Sequence, residues 1–358
     1  MDIAVCGLVR LEKIGFEESL GRHVLPSLCI GCASCVAVCP FGCLDYVDGR
    51  PVLTGECNSC GICSQICPRY ESSIQRLEQF VFGRERKPEE EFGIYRRIVI
   101  ARTRDDHVRR VCQDGGVVTS LLLYALEEGI IDGAIVSGVD DEKPLKASPK
   151  LAESAEEIIE SAGTRYTYSP NMLAFKDAVA RGKRSLAFVG TPCQIQAVRK
   201  IQAFPLNKYA RRLNFTIGVF CSECFSYDGL VNKLIKEEMG IDPNEVKKMN
   251  IKGKFIVTTT RGEEKSVSLK KTKRYVNNCV SACSDFSAEL ADISVGGLGL
   301  NGWTFTILRT ERGETLFEEA ESKGLLETKP VEQGSRPLTL LIMLTRKKRQ
   351  GAKGKIPS

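Results

Sequence analysis

Two twelve-residue stretches decide the fold of the N-terminal part: CIGCASCVAVCP at residues 29–40 and CNSCGICSQICP at residues 57–68. Each has three cysteines separated by two residues, then a fourth after three more residues and directly before proline. A tight loop of this spacing can wrap three corners of a tetrahedral iron–sulfur cube, and the Cys-Pro step leads the chain away. The repeated pattern therefore predicts a module that holds two 4Fe–4S clusters.

The fourth cysteine of each run is typical of bacterial two-cluster ferredoxins, where it completes the other cluster. We therefore expect two crossed ligand sets. The first set is Cys29, Cys32, Cys35 and Cys67, and the second is Cys57, Cys60, Cys63 and Cys39. Zinc ribbons use two short cysteine pairs, so neither they nor a disulfide framework fits this spacing as well.

The whole chain has 358 residues, which favours two or three domains. It contains 16 cysteines and opens without a secretory signal, a combination that predicts metal or redox chemistry in a reducing, anaerobic cytoplasm. No apolar run approaches the roughly 20 residues that a membrane-spanning helix needs. Nucleic-acid binding is not indicated, because aromatic residues do not interleave with the basic ones.

Composition and periodicity divide the chain into five parts. We expect a leader at 1–24, the ferredoxin-like module at 25–70, a charged linker at 71–95 with one helix before Gly83, a domain at 96–330 and a basic tail at 331–358. Strands and helices alternate in the fourth part, which predicts an α/β fold with a mostly parallel sheet.

The basic tail carries the net charge of the protein. The chain has a formal charge of +6, whereas residues 333–358 hold seven Lys and Arg and no acid. Such a segment can bind an anionic membrane surface or an acidic partner. A solvated, disordered terminus is the simpler interpretation, and we favour it.

A third metal site is suggested outside the repeated runs. Cys193 follows a predicted strand, Cys221 ends another, and Cys279 and Cys283 lie on a later loop. Strand ends of a parallel sheet meet at one edge, so these cysteines can converge. Cys224 is a rival for the place of Cys221. The remaining cysteines, for which the pattern offers no partner, are Cys6, Cys43 and Cys112.

A phosphate site is suggested by Gly115 and Gly116 before a predicted helix, although a structural turn explains the pair equally well. With two histidines, no Walker-type Lys-Ser/Thr step and no Ser-His-Asp arrangement, the sequence predicts no catalytic side chain. The chemistry is therefore expected to belong to bound cofactors.

Residues ~95–330 resemble the β subunits of coenzyme F420-reducing hydrogenases and F420-dependent dehydrogenases, within the usual boundary error of a few residues. The matching stretches, in chain order, are GGVVT at 115–119, GTRYTYSP at 163–170, GTPCQ at 190–194, GVFCSE at 218–223 and CVSACSDFSAELADISVG at 279–296. With the N-terminal module added, the chain resembles the F420-oxidising input subunit of archaeal F420H2 dehydrogenase complexes.

This resemblance implies FAD and a third 4Fe–4S cluster, with Cys193, Cys221, Cys279 and Cys283 as ligands of that cluster. The implied cofactor contacts are Gly115, Gly116, Thr119, Arg165, Tyr166, Gly190 and Thr191. Reduced coenzyme F420 would pass hydride to FAD, and electrons would leave singly through three clusters. The acceptor would be a membrane-bound F420H2 dehydrogenase (quinone or methanophenazine oxidoreductase) complex or a ferredoxin.

The resemblance also implies a cytoplasmic protein, or one held peripherally at the cytoplasmic face of the membrane by partner subunits. Basic residues from Lys270 to Arg274 are candidates to attract the anionic tail of the coenzyme, although a solvated loop explains them too. Two alternatives stay open. One is a flavin and iron–sulfur enzyme with another electron donor, and the other is a non-catalytic relay subunit.

Overall fold

A computed structural model describes residues 12–71, 73–204 and 206–353, with the side chains of residues 278 and 279 outside that description. It confirms the predicted fold class: a small cysteine-rich module precedes an α/β domain built on one large sheet. The two parts share a core, which fixes the module against the domain.

The N-terminal module is built from short elements that alternate with cysteine loops. These elements are a π-helical turn at Glu17–Gly21, α1 (Ser34–Val38), β1 (Leu44–Val47), β2 (Arg50–Leu53) and α2 (Ile62–Ile66). Strands β1 and β2 form an antiparallel hairpin in which Leu44 lies opposite Leu53. The predicted linker contains one helix, α3 (Ile74–Phe82), which ends at Gly83 as expected.

The predicted leader belongs to this module over the part that is described. Phe16, Leu20 and Val24 are buried in the same core as the cysteine loops. Residues 1–11 of the predicted leader lie outside the described residues. The boundary at residue 24 therefore falls inside a packed unit, because apolar residues on both sides of it bury together.

Eight strands form the large sheet, in the spatial order β13, β3, β12, β11, β7, β6, β4, β5. Their bounds are β3 (Arg97–Thr103), β4 (Gly133–Val139), β5 (Ala147–Ala152), β6 (Leu186–Gly190), β7 (Leu213–Val219), β11 (Ile293–Gly296), β12 (Thr304–Leu308) and β13 (Leu326–Pro330). The four central strands β11, β7, β6 and β4 pair in parallel. Antiparallel partners complete both edges, and β3 runs in the same direction as the centre.

Helices and a second, smaller sheet surround this sheet. The helices are α4 (Asp106–Val111), α5 (Val117–Glu127), α6 (Ala155–Glu160), α7 (Met172–Ala180), α8 (Pro192–Ala203), α9 (Asn207–Ala210), a π-helix at Asp228–Glu238, α10 (Leu269–Thr272) and α11 (Glu311–Ser322). The small sheet is an antiparallel meander of β8 (Val246–Ile251), β9 (Lys254–Thr259) and β10 (Glu264–Ser268). Short 3₁₀ turns occupy Pro243–Glu245, Lys273–Tyr275 and Asn278–Ala282.

One apolar core joins the module to the α/β domain. It runs from Phe16 and Val36 in the module to Phe175 and Phe188 in the domain. Polar contacts cross the same boundary: the Tyr209 hydroxyl donates to the carbonyl of Ala37. Burial of a continuous apolar surface makes the relative position of the two parts specific.

The basic tail is not the disordered terminus that we favoured from the sequence. Residues Arg336–Ala352 form a helix, α12, which packs through Leu341 against a cluster that includes Phe286, Phe305 and Ile307. Its apolar residues from Leu338 to Leu344 lie at helical spacing, and this burial outweighs the cost of ordering a charged segment. Residues 354–358 lie outside the described residues.

Across residues 12–71, 73–204 and 206–353, no helix combines the length and the apolar character needed to cross a bilayer. This agrees with the apolar runs of the sequence.

Candidate functional site

Two cavities in the N-terminal module are lined by cysteines. The first has about 360 Å³ of empty volume and is lined by Cys29, Cys32, Cys35 and Cys67. The second has about 320 Å³ and is lined by Cys57, Cys60, Cys63 and Cys39. The structure thus brings together the two crossed sets, each with three cysteines from one run and the fourth from the other.

Backbone geometry explains how each run wraps its cavity. The residue before α1 is Ala33, with φ of 62°, and the residue before α2 is Gly61, with φ of 71°. Each left-handed residue turns the loop sharply, so that the second and third cysteines of the run face the same space. Close packing locks the first loop, because the Tyr46 hydroxyl of the hairpin donates to the Gly31 carbonyl at 2.7 Å.

In the first cavity Cys32, Cys35 and Cys67 are buried and Cys29 is half-buried. Burial is the largest cause that raises the pKa of Cys32 and Cys35. A buried thiol is deprotonated when a metal binds it, and the metal supplies the compensating charge. Among the described residues, no three His, Cys, Asp or Glu side chains are placed to hold a single metal ion. Four cysteines that line one cavity, three from one run and one from the other, are the donor set of a 4Fe–4S cluster.

Cys43 also lines the second cavity, with its sulfur 3.4 Å from that of Cys39. The sequence pattern offered no partner for Cys43, and its position beside Cys39 corrects that interpretation. Cys112, by contrast, lies at the turn before α5, where its thiol donates to the Asp114 carbonyl at 3.1 Å. Cys6 lies outside the described residues.

A third group of cysteines lies at the carboxyl ends of the central strands. Cys193 occupies the first turn of α8, directly after β6, and Cys221 follows β7. The sulfurs of Cys221 and Cys224 are 3.8 Å apart. Burial, followed by the charge of Cys283, raises the pKa of Cys193, so the thiols from separate segments face one another.

The third group therefore unites Cys193, Cys221, Cys283 and the rival Cys224. The side chain of Cys279 lies outside the described residues. A hydrogen bond between the paired thiols is the main cause that lowers the pKa of Cys221 and raises that of Cys224. Buried thiols from different strands and loops are the donor set of a metal cluster, so the described residues fit one here.

Two predicted cofactor contacts are placed beside this third group. The Thr191 hydroxyl lies 3.1 Å from the Cys193 sulfur, and the Thr191 amide donates to the Gln194 side chain at 3.0 Å. A Cβ on Gly190 would lie 2.8 Å from the Phe188 ring. Both residues therefore shape the start of α8, on which Cys193 is carried.

The other predicted cofactor contacts surround the turn before α5. Burial raises the pKa of Asp114, whereas the charges of Lys252 and Lys248 lower it. Burial also raises the pKa of Tyr166, and the Asp114 charge adds to that effect. Lys248 of β8 donates to the Gln113 carbonyl at 2.9 Å. The turn at Asp114, Tyr166 and strand β8 therefore lie together in one polar region, which we call the Asp114 region, with Lys252 just after β8.

Arg165, next to Tyr166, has an unusual environment. Its guanidinium donates to the carbonyls of Ala162 and Glu160, but its Nε is buried without a hydrogen-bond partner. The residue is half-buried, burial lowers its pKa, and no carboxylate pairs with it in the described part of the chain. A cation with a free buried donor fits an anionic group such as a cofactor phosphate.

The glycine pair has a structural explanation. A Cβ on Gly115 would lie 2.5 Å from the Ala101 carbonyl oxygen, and Gly116 caps α5 with φ of 73°. Thr119 is buried on α5. The conformation and packing therefore require both glycines whether or not a ligand binds.

The basic segment from Lys270 to Arg274 is partly paired. Lys271 and Arg274 both form ion pairs with Glu238, at 2.7 and 2.6 Å.

Comparison with protein families gives three matches. Residues 98–176 and 183–334 match the N-terminal and C-terminal models of the coenzyme F420 hydrogenase/dehydrogenase beta subunit, and residues 23–45 match a 4Fe-4S binding domain. Together these matches cover more than half of the chain. The chain belongs to the family of coenzyme F420 hydrogenase/dehydrogenase beta subunits. This confirms the family predicted from the order of the short motifs within this one sequence.

Members of the family with curated names support an F420-linked oxidoreductase. The coenzyme F420 hydrogenase subunit beta of Methanothermobacter thermautotrophicus is 40% identical over 269 residues, which cover 74% of this chain and 95% of that protein. An F(420)H(2) dehydrogenase subunit of Methanosarcina mazei is 34% identical over 67% of this chain and 66% of its own length. The coenzyme F420-dependent sulfite reductase of Methanocaldococcus jannaschii is 34% identical over 89% of this chain and 50% of its own length.

A solved structure agrees with the fold of this family member. A chain of the F420-reducing [NiFe] hydrogenase complex from Methanosarcina barkeri superposes with a TM-score of 0.71 and 38% identity, over 74% of this chain and 92% of that chain. The Methanosarcina barkeri chain is part of a complex, and the Methanosarcina mazei protein is named as a subunit.

Sequence reasoning missed two cations at the third cysteine group, Arg69 and Lys348. Each comes from a segment far from the cysteines it faces, so no local pattern indicated it.

Proposed function

We propose that this chain oxidises reduced coenzyme F420, with bound FAD accepting hydride and three bound 4Fe–4S clusters carrying single electrons to a membrane-bound F420H2 dehydrogenase complex or to ferredoxin. The observation that carries the proposal is the grouping of cysteines around two cavities and a third site in one chain. A family whose curated members are named for F420 supplies the substrate class.

Residues of the two cysteine runs would hold the first two clusters. The first cavity offers Cys29, Cys32, Cys35 and Cys67, and the second offers Cys57, Cys60, Cys63 and Cys39. Cys193, Cys221, Cys279 and Cys283 would hold the third, with Cys224 as the alternative to Cys221. Thiolate ligands buried to different degrees are the means by which a protein tunes each cluster.

The chain places the third group next to the first cavity. Cys32 of the first cavity and Cys193 of the third group share one small apolar cluster with Ile30 and partly buried Tyr168. The Tyr168 hydroxyl lies 3.6 Å from the Cys193 sulfur. Side chains in van der Waals contact thus join the α/β domain to the ferredoxin-like module, which supports a continuous path for electrons between the two parts.

The Asp114 region would hold FAD. Arg165 offers a buried donor without a partner, and Lys248 and Lys252 add positive charge near Asp114. Lys252 donates to the Asn301 side chain at 2.6 Å, which brings the loop after β11 to the same region. Gly115, Gly116 and Thr119 would shape the turn, and Tyr166 would offer a ring and a hydroxyl.

A second candidate acceptor is a soluble reductase. The chain matches the F420-dependent sulfite reductase over 89% of its own length but only 50% of that protein. This is the relationship expected of an input module that serves a separate reducing module. The proposed chemistry of the chain is the same for both acceptors.

The test is anaerobic oxidation of reduced coenzyme F420 by the purified, cluster-loaded chain, followed by deazaflavin absorbance with a viologen as acceptor. We expect oxidation that depends on added FAD and is accompanied by viologen reduction. Arg165→Met is expected to weaken FAD retention, and Arg211→Met, at an exposed position at the end of α9, is the matched control. An absence of oxidation by protein that contains iron, sulfide and flavin would remove F420 as the donor.

A further inference from the structure

Two cations reach the third cysteine group from outside the α/β domain, a buried arginine and a half-buried lysine. Arg69 follows the last cysteine of the second run, and Lys348 lies on helix α12. Both lie beyond the segments that the family models match, which are 23–45, 98–176 and 183–334.

Arg69 lies between the first cavity and the third group. Arg69 is 5% exposed and lines the first cavity together with Cys67. Its Nη1 donates to the Ala282 carbonyl at 3.1 Å, one residue before Cys283. Its Nε and Nη2 have no hydrogen-bond partner among the described residues.

Lys348 reaches the group from helix α12. Its ammonium donates to the Cys221 carbonyl. The residue is half-buried, so this hydrogen bond places a positive charge at the edge of the third cysteine group.

Ion pairs fix the helix that carries Lys348. Arg349 contacts Glu289 at 2.7 Å, and Arg346 pairs with Glu91 one turn away. Leu341 is fully buried at the start of the same helix. These contacts position the ammonium without any contribution from the cysteines.

We propose that Arg69 and Lys348 are positioning charges that set the reduction potential of the cluster held by the third cysteine group. The inference rests on the third cluster of the proposed function. Four thiolates make such a site anionic, and reduction adds one more negative charge. Two cations in a low-dielectric interior stabilise the reduced form more than the oxidised form, so they raise the potential.

The inference explains why the Arg69 guanidinium is kept in the interior. Burial of a cation is costly, yet Arg69 is buried and its Nε and Nη2 have no hydrogen-bond partner among the described residues. It also gives the basic C-terminal helix a role at a buried site, in place of the surface role that its composition indicated.

The experiment is a redox titration of the full-length, cluster-loaded chain, followed by electron paramagnetic resonance. We expect Lys348→Gln and Arg69→Gln each to lower the reduction potential of one cluster. The expected shift is at least about 59 mV for one electron, which is a tenfold change in the equilibrium constant of reduction. Lys347→Gln is the matched control, because Lys347 is exposed on the same helix. It should leave all potentials unchanged.

Iron content separates failure of the inference from failure of the proposed function. About twelve irons per wild-type chain are expected for three 4Fe–4S clusters, and about eight would remove the third cluster and the inference with it. A full iron content with unshifted potentials in both Gln variants would overturn the inference alone. If Lys348→Gln loses iron, the iron content of Lys348→Arg decides the cause. A full iron content in Lys348→Arg supports the role of the positive charge. Loss of iron from both variants overturns the inference and shows that the lysine side chain acts through packing.

Discussion

Arg199 and Asp292 form a buried ion pair, with 3.0 Å between Nη2 and Oδ1, that ties together the segments carrying three cysteines. Arg199 lies on α8, which begins at Cys193, and its Nε also donates to the Leu290 carbonyl at 2.8 Å. Asp292 accepts from the Thr216 amide at 2.7 Å, on the strand that leads to Cys221. The pair therefore fixes the three segments that carry these cysteines relative to one another.

Removal of one partner of this pair should be strongly destabilising. We expect Asp292→Asn to lower the free energy of unfolding by about 3–5 kcal/mol, because it leaves the Arg199 charge buried and unpaired. The measurement is denaturant unfolding of the loaded chain. The matched control is Asp177→Asn, which breaks an exposed pair with Arg181 and should cost no more than about 1 kcal/mol. Equal effects of the two variants would contradict the role given to the buried pair.

The same pair should make stability depend on acid. Burial raises the pKa of Asp292, but the Arg199 charge and hydrogen bonds more than offset it, so the folded value lies below the ordinary 3.8. As pH falls, the Asp292 carboxyl is protonated in the unfolded chain before it is protonated in the folded protein. Its contribution to the free energy of unfolding is therefore complete above the ordinary pKa of 3.8 and is lost as pH falls through the folded pKa.

We therefore expect the difference in unfolding free energy between wild type and Asp292→Asn to be constant near neutrality and to shrink below about pH 4. Other acids titrate too, and burial raises the pKa of Asp285 to about 6. Such effects are common to both proteins and cancel in the difference. A difference that stays constant down to pH 2 would show that the Asp292 charge contributes nothing.

The crossed ligand sets can be tested by iron content of double variants. Cys29 and Cys67 line the same cavity, whereas Cys57 and Cys67 line different ones. We expect Cys29→Ala with Cys67→Ala to lose about four irons per chain, and Cys57→Ala with Cys67→Ala to lose about eight. Uncrossed sets would give the reverse. Cys67 is the better fourth cysteine to replace, because Cys43 lies 3.4 Å from Cys39 and offers a spare thiol there.

The glycine cap of α5 should be more sensitive than a glycine of the same conformation elsewhere. Gly116 and Gly129 have φ of 73° and 66°, but only Gly116 is crowded, with Thr103 at 2.9 Å from the position of a Cβ. We expect Gly129→Ala to cost about 1–2 kcal/mol from the left-handed backbone alone. Gly116→Ala should cost about 2–4 kcal/mol, since overpacking adds to that strain. Thermal unfolding of the two variants measures the difference, and equal costs would show that the site relaxes.

The cysteine runs illustrate what local pattern predicts well. The spacing within residues 29–40 and 57–68 forces tight loops, so the sequence alone indicated which thiols face each space. The alternating strands and helices from residue 96 likewise predicted the α/β class and the parallel centre of the sheet. Both features depend on residues that are near one another in the chain.

The sheet edges and the C-terminal helix show where local pattern fails. Strand β5 lies in a segment for which the sequence indicated no strand, and β13 lies in a region without a strong alternation. The basic composition of α12 outweighed its short apolar stripe when the sequence was considered alone. In the folded protein these apolar residues pack against Phe286 and Phe305, which lie more than 30 residues away in the sequence.

Short-range spacing and the order of motifs along the chain were enough to predict the two cysteine runs, the α/β class and the family. Long-range packing, which no local pattern indicates, brings Cys32 near Cys193, pairs Arg199 with Asp292, and brings Arg69 and Lys348 to the third cysteine group. Such contacts arise when separate elements bury a common apolar surface, and the charges they bring together lie up to a few hundred residues apart in the chain.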